Sequence, residues 1–118
     1  MQKVIIILPT YNEKEVIEST ISAVVKVISE ITNYDCEILV VDSSSPDKTG
    51  QIVKKIGISN SKVKLLDVKE RGLGLGLVRG YEYAFREMKA DIVLQMDADL
   101  QHNPKDIPKL LKKIKEGN

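Results

Sequence analysis

Five successive residues near the start of the chain, Val4-Ile5-Ile6-Ile7-Leu8, have wholly apolar side chains, and the first four branch at Cβ. A strand sends alternate side chains to opposite faces. A run without alternation therefore reads as a strand covered on both sides. Such a run is far too short to span a bilayer, and it lacks the charged flank and cleavage pattern of a secretory signal. Its cover must come from elsewhere in the chain. Further strand-like runs follow at Cys36 to Val41, Val63 to Val68 and Ile92 to Met96, separated by helix-period stretches. Strands that alternate with helices are the signature of a parallel α/β sheet.

The first helix is expected from about Glu13 to Ile31. There Ile17, Ile21, Val24, Ile28 and Ile31 make one stripe, and Asn12 suits the cap. A short second helix, Lys48 to Ile56, turns Ile52, Val53 and Ile56 inward. The third leaves a glycine-rich loop, Arg71 to Gly76, and continues to about Lys89 on the apolar face Val78, Tyr81, Phe85 and Met88. The last spans Lys105 to Glu116, with Ile107, Leu110, Leu111 and Ile114 on one side. Pro104 suits its first turn, and Pro108 predicts an irregular start. The expectation is one domain, 1–118, folded as a three-layer α/β/α sandwich on a mainly parallel sheet.

With 18 basic and 17 acidic side chains the net charge is +1, which argues against a bulk electrostatic binder of nucleic acid. Cys36 is the only cysteine. That excludes an intrachain disulfide or a multi-cysteine zinc site and makes a reducing, cytoplasmic compartment the default.

Polar segments follow each strand: Thr10 to Glu13, Asp42 to Asp47, Lys69 to Gly76, and Asp97 to His102. Parallel sheets of this kind bind ligands outside the carboxyl ends of their strands. Asp97 and Asp99 stand two apart, so on an extended chain they share a side and repel unless a cation lies between them. Carboxylate oxygens suit Mg²⁺ or Mn²⁺, and Gln101 could add a neutral oxygen. His102 is a softer ligand and reads as a loop residue. The competing reading of the pair is a solvated turn with one aspartate capping the next helix.

Pro9-Thr10-Tyr11-Asn12-Glu13 leaves a strand and enters a helix, where free N–H groups favour anions. Tyr11 could pack on a flat base and Glu13 could accept from ribose hydroxyls, or Glu13 could simply favour the positive helix end. Asp42 could accept N–H donors of a base or bond sugar hydroxyls. The run Ser43-Ser44-Ser45-Pro46-Asp47 would equally explain it as turn chemistry. Asp47 reads as the cap of the short helix. Gly72, Gly74 and Gly76, with Gly80 beyond, form neither the dinucleotide fingerprint nor a P-loop. They could let a ligand approach backbone at Gly74. Lys69, Arg71 and Arg79 could add positive charge there or lie solvated. Lys105, Lys109, Lys112 and Lys113 form a basic face that could meet an anionic membrane or simply be solvated.

In this order the segments Leu8 to Glu13, Val40 to Asp47, Gly72 to Gly76 and Asp97 to His102 resemble the inverting glycosyltransferases with the GT-A fold. The polyprenol (dolichol) phosphate mannose synthases are the closest likeness within that group. The resemblance covers nearly the whole chain. It implies a hexosyltransferase that takes mannose from GDP-mannose and passes it to a polyprenyl phosphate with inversion. It implies that Pro9, Tyr11, Glu13 and Asp42 line the nucleoside, with Gly74 and Asp97 also at the donor. By the same resemblance Asp97 and Asp99 are catalytic, and Asp97, Asp99 and Gln101 hold a divalent metal, Mg²⁺ or Mn²⁺. The family's second-strand motif carries two adjacent acids, and here the second place is Ser43. Members of the family continue well past this length, so the chain is expected to be the donor-binding half, with the acceptor-side half absent.

The resemblance extends to partners and place: a nucleotide-sugar donor, a lipid phosphate acceptor, no nucleic acid, and the cytoplasm or the cytoplasmic face of a membrane. An alternative is a catalytically incomplete nucleotide-sugar-binding module. A phospho-receiver domain would need an acidic pair after the first strand, where Leu8-Pro9-Thr10 stands. A nucleotidyltransferase would need a glycine-rich phosphate loop at the same place. An uncovered fourth strand is expected to leave an open edge that favours homo-oligomers.

Overall fold

The first apolar run forms β1 (Lys3–Thr10), and Val4 to Leu8 are wholly buried in it. The computed structural model describes residues 1–69, 73–98 and 103–116. After β1 come α1 (Ile17–Ser29), β2 (Asp35–Asp42), α2 (Thr49–Ser59), β3 (Val63–Asp67), α3 (Leu73–Arg86) and β4 (Ile92–Gln95). A 3-10 turn, Pro104–Asp106, then leads into α4 (Ile107–Lys115). The sheet order is β3-β2-β1-β4, and every pairing is parallel. The chain steps outward from β1 to β2 to β3, then returns to place β4 on the other side of β1. That reversal is a topological switch point, the place where open α/β sheets bind ligands.

Alternate residues of β1 serve two cores. Val4, Ile6 and Leu8 pack with Ile17, Ile21 and Val24 of α1, Val53 of α2, and Ile107 and Leu111 of α4. Ile5 and Ile7, with Leu39 and Val41 of β2, pack against Ala84 of α3 and Met88 just beyond it. The three-layer expectation therefore holds, with α3 facing the other helices across the sheet. Each fully buried isoleucine contributes roughly 1.5–3 kcal/mol. Buried Cys36 fits the same core, where desolvation and the nearby Asp35 charge raise its thiol pKa.

Three local expectations are corrected. First, α1 begins at Ile17, not Glu13, and its cap position is Val16. Asn12 instead adopts left-handed backbone, φ 54°, because its groups are tied to the loop after β2.

Second, α3 starts at Leu73, so Gly74 and Gly76 lie inside a helix and not in a loop. Its buried ridge is Gly76, Gly80, Ala84 and then Met88, while Val78 and Phe85 are about half exposed. The small residues let the helix backbone lie against β2: a Cβ on Gly80 would meet Val41 Cγ2 at 2.7 Å, and one on Gly76 would meet Ser43 Oγ at 3.3 Å. Of the expected face Val78, Tyr81, Phe85 and Met88, Met88 is buried and Tyr81 packs against this core, while Val78 and Phe85 turn away from it.

Third, α4 buries Ile107 and Leu111 but leaves Leu110 and Ile114 exposed. Its irregular start is as Pro108 predicts. The 3-10 turn comes first, and the proline then falls in the opening turn of α4, where a missing N–H leaves no bond unmade.

Candidate functional site

Thr10 and Asp42, the last residues of β1 and β2, are partners in the parallel register. Both are buried, Asp42 to 2% exposure and Thr10 to 3%. A buried carboxylate must be hydrogen-bonded. Here the Thr10 hydroxyl donates to Asp42 Oδ1 at 2.6 Å, and the Ser45 hydroxyl donates to the same oxygen at 2.6 Å. The Ser45 N–H donates to Oδ2 at 3.0 Å. Turn chemistry is thus satisfied inside the protein, as the serine run allows, and Ser44 takes the left-handed backbone the turn needs, φ 48°.

The loops after β1 and β2 are laced together. The N–H of Asn12 donates to Ser45 Oγ (2.9 Å), that of Glu13 to Thr49 Oγ1 (3.1 Å), and that of Lys14 to Asp47 Oδ2 (3.1 Å). In return the Asp47 N–H donates to Asn12 Oδ1 at 3.4 Å. Asp47 Oδ1 also accepts from the Thr49 N–H (3.0 Å) and from the Thr49 hydroxyl, so it satisfies the first N–H of α2, although the cap position itself is Lys48 and not Asp47 as expected. Desolvation works against its charged form, but the Thr49 hydroxyl, the N–H groups of Lys14 and Thr49, and the Lys14 charge hold its pKa below the usual carboxylate range. The lacing corrects the reading of Pro9 to Glu13 as a helix start with free N–H groups, since Asn12, Glu13 and Lys14 spend theirs on Ser45 and Asp47 of the next loop and Thr49 at the start of α2. A half-exposed Tyr11 ring and a half-buried Pro9 and Glu13 remain at this mouth.

The other side of β1 is built differently. β1 pairs with β2 as far as Thr10↔Asp42 but with β4 only as far as Ile7↔Gln95. Ile7 turns its carbonyl to β4, accepting from the Met96 N–H at 2.9 Å, and Thr10 turns its own to Ser43 of β2 at 3.1 Å. Pro9 stands two residues after Ile7 and so faces β4, with no N–H to extend that ladder. Beyond Gln95 the chain peels away from β1. Met96 and Ala98 are buried in the α1/α4 core, and the Ala98 carbonyl accepts from the buried Thr20 hydroxyl at 2.6 Å. Between them Asp97 is half-buried on a pinned backbone at the switch point.

Asp99, Gln101 and His102 lie outside the described residues, as do Arg71 and Gly72. Among the described residues no three acidic, histidine or cysteine side chains form a metal-binding group, and Asp97 is the one expected metal ligand placed. A half-buried carboxylate on a fixed backbone, with a second aspartate two residues on, fits a hard divalent cation. Among the described residues no atom lies within 4 Å of where a Cβ on Gly74 would be. Lys69 and Arg79 border a shallow pocket of about 500 Å³ with Leu66, Asp67 and Val68, and Arg79 pairs with Glu82 at 3.4 Å. A larger groove of about 1030 Å³ runs along the α1/α4 seam, past Val27, Ile31, Tyr34 and Leu111, and includes none of the expected site residues.

Sequence reasoning missed Thr10 and Thr20 as the residues that hold Asp42 and Ala98. Thr20 carried a signal, because it is a polar residue on the apolar stripe of α1. Thr10 carried none, since its partner is 32 residues away.

A buried acid at the end of β2, an aspartate on a pinned backbone just after β4 and a switch point beside β1 form the ligand-binding mouth of an open α/β sheet. Residues 5–118 match the family model described as Glycosyl transferase family 2, and the chain belongs to that family. It is 42% identical over 117 residues to the dolichol-phosphate mannosyltransferase of Pyrococcus furiosus, covering 98% of this chain and 31% of that protein. To the undecaprenyl-phosphate mannosyltransferase of Micrococcus luteus it is 32% identical, covering 98% of this chain and 46% of the relative. Among solved structures it superposes on the mannosyltransferase PcManGT from Pyrobaculum calidifontis, in complex with GDP-Man and Mn²⁺, with TM-score 0.67 and 29% identity over 87% of this chain and 29% of that one. The chain therefore spans less than half the length of these relatives. Its all-parallel sheet bears out the expected GT-A arrangement.

Proposed function

We propose that residues 1–118 form the donor-binding domain of a glycosyltransferase that moves mannose from GDP-mannose to a polyprenyl phosphate with inversion. The observation that carries this is the switch point itself, where Asp97 stands beside the end of β1 that β4 leaves unpaired and Asp42 closes the strand on the other side. Asp97, with Asp99 and Gln101, would hold Mg²⁺ or Mn²⁺. When bound, such an ion neutralises charge on a departing diphosphate. Tyr11 offers a ring face to the base, Pro9 and Glu13 flank it, and Asp42 offers a carboxylate oxygen.

In the transfer, an oxygen of the lipid phosphate forms a bond to the anomeric carbon while the bond from that carbon to the nucleoside diphosphate breaks. An alkyl phosphate with a second pKa of about 6 is mostly ionised at neutral pH, so a strong general base is not needed.

Two surfaces extend the reading. The exposed lysines Lys105, Lys109, Lys112 and Lys113 beside exposed Leu110 and Ile114 suit an anionic membrane surface. Co-sedimentation with anionic but not neutral vesicles tests this. Among the described residues no helix is long and apolar enough to cross a membrane. The outer strand β4 (Ile92-Val93-Leu94-Gln95) carries no charge, whereas β3 carries exposed Lys64 and Asp67. Uncharged edges pair readily, so the chain self-associates, and a charge at the exposed position of this strand, Gln95→Lys, restores the monomer in light scattering.

The central test is a thermal-shift titration with GDP-mannose, with and without Mn²⁺, run beside a radiolabelled transfer assay. A metal-dependent rise in melting point is expected, since a ligand of the folded state stabilises it. No rise with any nucleotide sugar at millimolar concentration would overturn the proposal.

A further inference from the structure

Glycine in a helix is about 1 kcal/mol less favourable than alanine, so a helical glycine needs a reason. Gly80 has one in Val41, and Gly57 of α2 has one in the Val63 carbonyl, which a Cβ would meet at 2.9 Å. Gly50, in the first turn of α2, is different. Its backbone is not left-handed, and the atom a Cβ would approach is Asp42 Oδ2, at 3.2 Å, with Leu65 Cδ2 next at 3.7 Å. A carboxylate offers about four accepting positions. Asp42 Oδ1 uses two, for the Thr10 and Ser45 hydroxyls, and Oδ2 uses one, for the Ser45 N–H. One position on Oδ2 is left, in a side chain 2% exposed, beside a pocket of about 420 Å³ that Asp42, Gly50, Gln51, Lys54 and Asp67 help to line.

We propose that Gly50 is a specificity-determining residue: its missing side chain keeps the last accepting position of Asp42 open to a ring N–H of the donor's base. This rests on the donor-binding reading above and adds a steric gate to it. A base with a ring imino N–H, such as guanine or uracil, can donate to that oxygen. Adenine presents a ring lone pair instead, and two lone pairs repel. A methyl group at position 50 closes the approach without touching the metal or diphosphate end of the ligand.

The experiment measures GDP and ADP affinities with Mn²⁺ on the wild-type chain and on Gly50→Ala, with melting points for both. The wild type is expected to prefer GDP. In Gly50→Ala that preference falls by at least about tenfold, the worth of one hydrogen bond to a charged group, while ADP binds as before. Its melting point stays within a few degrees of wild type. If wild type prefers GDP and Gly50→Ala keeps the full preference, or if wild type binds both equally, the gate is refuted and the donor reading stands. An unfolded variant, or equal loss of both nucleotides, makes the gap simple packing and also refutes the gate. Failure of wild type to bind either nucleotide removes both proposals.

Discussion

β1 meets β2 along all eight of its residues, while its pairing with β4 stops after four. On the β2 side the mouth of the sheet is closed by hydrogen bonds: Thr10 and Ser45 hold Asp42, and three successive N–H groups are committed to the neighbouring loop and the start of α2. On the β4 side Pro9 ends the ladder, and the departing chain is pinned through Ala98. The contrast teaches that an acid at a strand end is not of itself a ligand. Asp42 is mainly a structural anchor with one accepting position to spare, and Asp97 stands where the backbone has been opened.

The largest effect that would break this contrast is in Asp42→Ala. It leaves two hydroxyls and an N–H without their acceptor, and is expected to cost about 3 kcal/mol or more in urea unfolding. A loss under about 1 kcal/mol would show that the laced side is not structural. Gly80→Ala comes next, at about 1–3 kcal/mol, because its methyl group overlaps Val41 on that same strand. Thr20→Val removes the donor to Ala98 and should cost about 1 kcal/mol. It should also weaken Mn²⁺-dependent GDP binding, by loosening the backbone on which Asp97 rides. Asp97→Ala is expected to cost less stability than Asp42→Ala and to abolish the Mn²⁺-dependent part of the thermal shift. Equal stability losses for the two aspartates would erase the distinction drawn here.

The smallest effect is acid-dependent. Asp47 titrates lower in the folded chain than its ordinary value, so the unfolded chain binds the proton first as pH falls. Its stabilisation is present above the unfolded pKa of about 4 and is lost as pH drops through the lower folded value. Urea midpoints should therefore fall less steeply below pH 4 in Asp47→Asn than in wild type.

Much of this was legible without coordinates. The unalternating run from Val4 to Leu8 required a central strand, and the stripe Ile17, Ile21, Val24 and Ile28 required the helix that covers it. The polar segments at strand ends located the mouth of the sheet. The face of α3 was only half legible: Tyr81 and Met88 lie toward the sheet as expected, but the helix approaches it most closely through Gly76, Gly80 and Ala84, and Val78 and Phe85 point outward. The Ser45 bonds to Asp42 were legible as turn chemistry, but the Thr10 bond to it and the ties of Asn12 were not, because those partners are 32 to 35 residues apart in the chain.

Period and punctuation are properties of neighbouring residues, and they were enough to set which segments are strands, which are helices, and where each strand hands over to a polar turn. Which strand lies beside which is a matter of packing between distant segments. The small-residue ridge from Gly76 to Met88 settles on the Ile5, Ile7 and Val41 face of the sheet. β4 then lies next to β1, which brings Asp97 to the switch point.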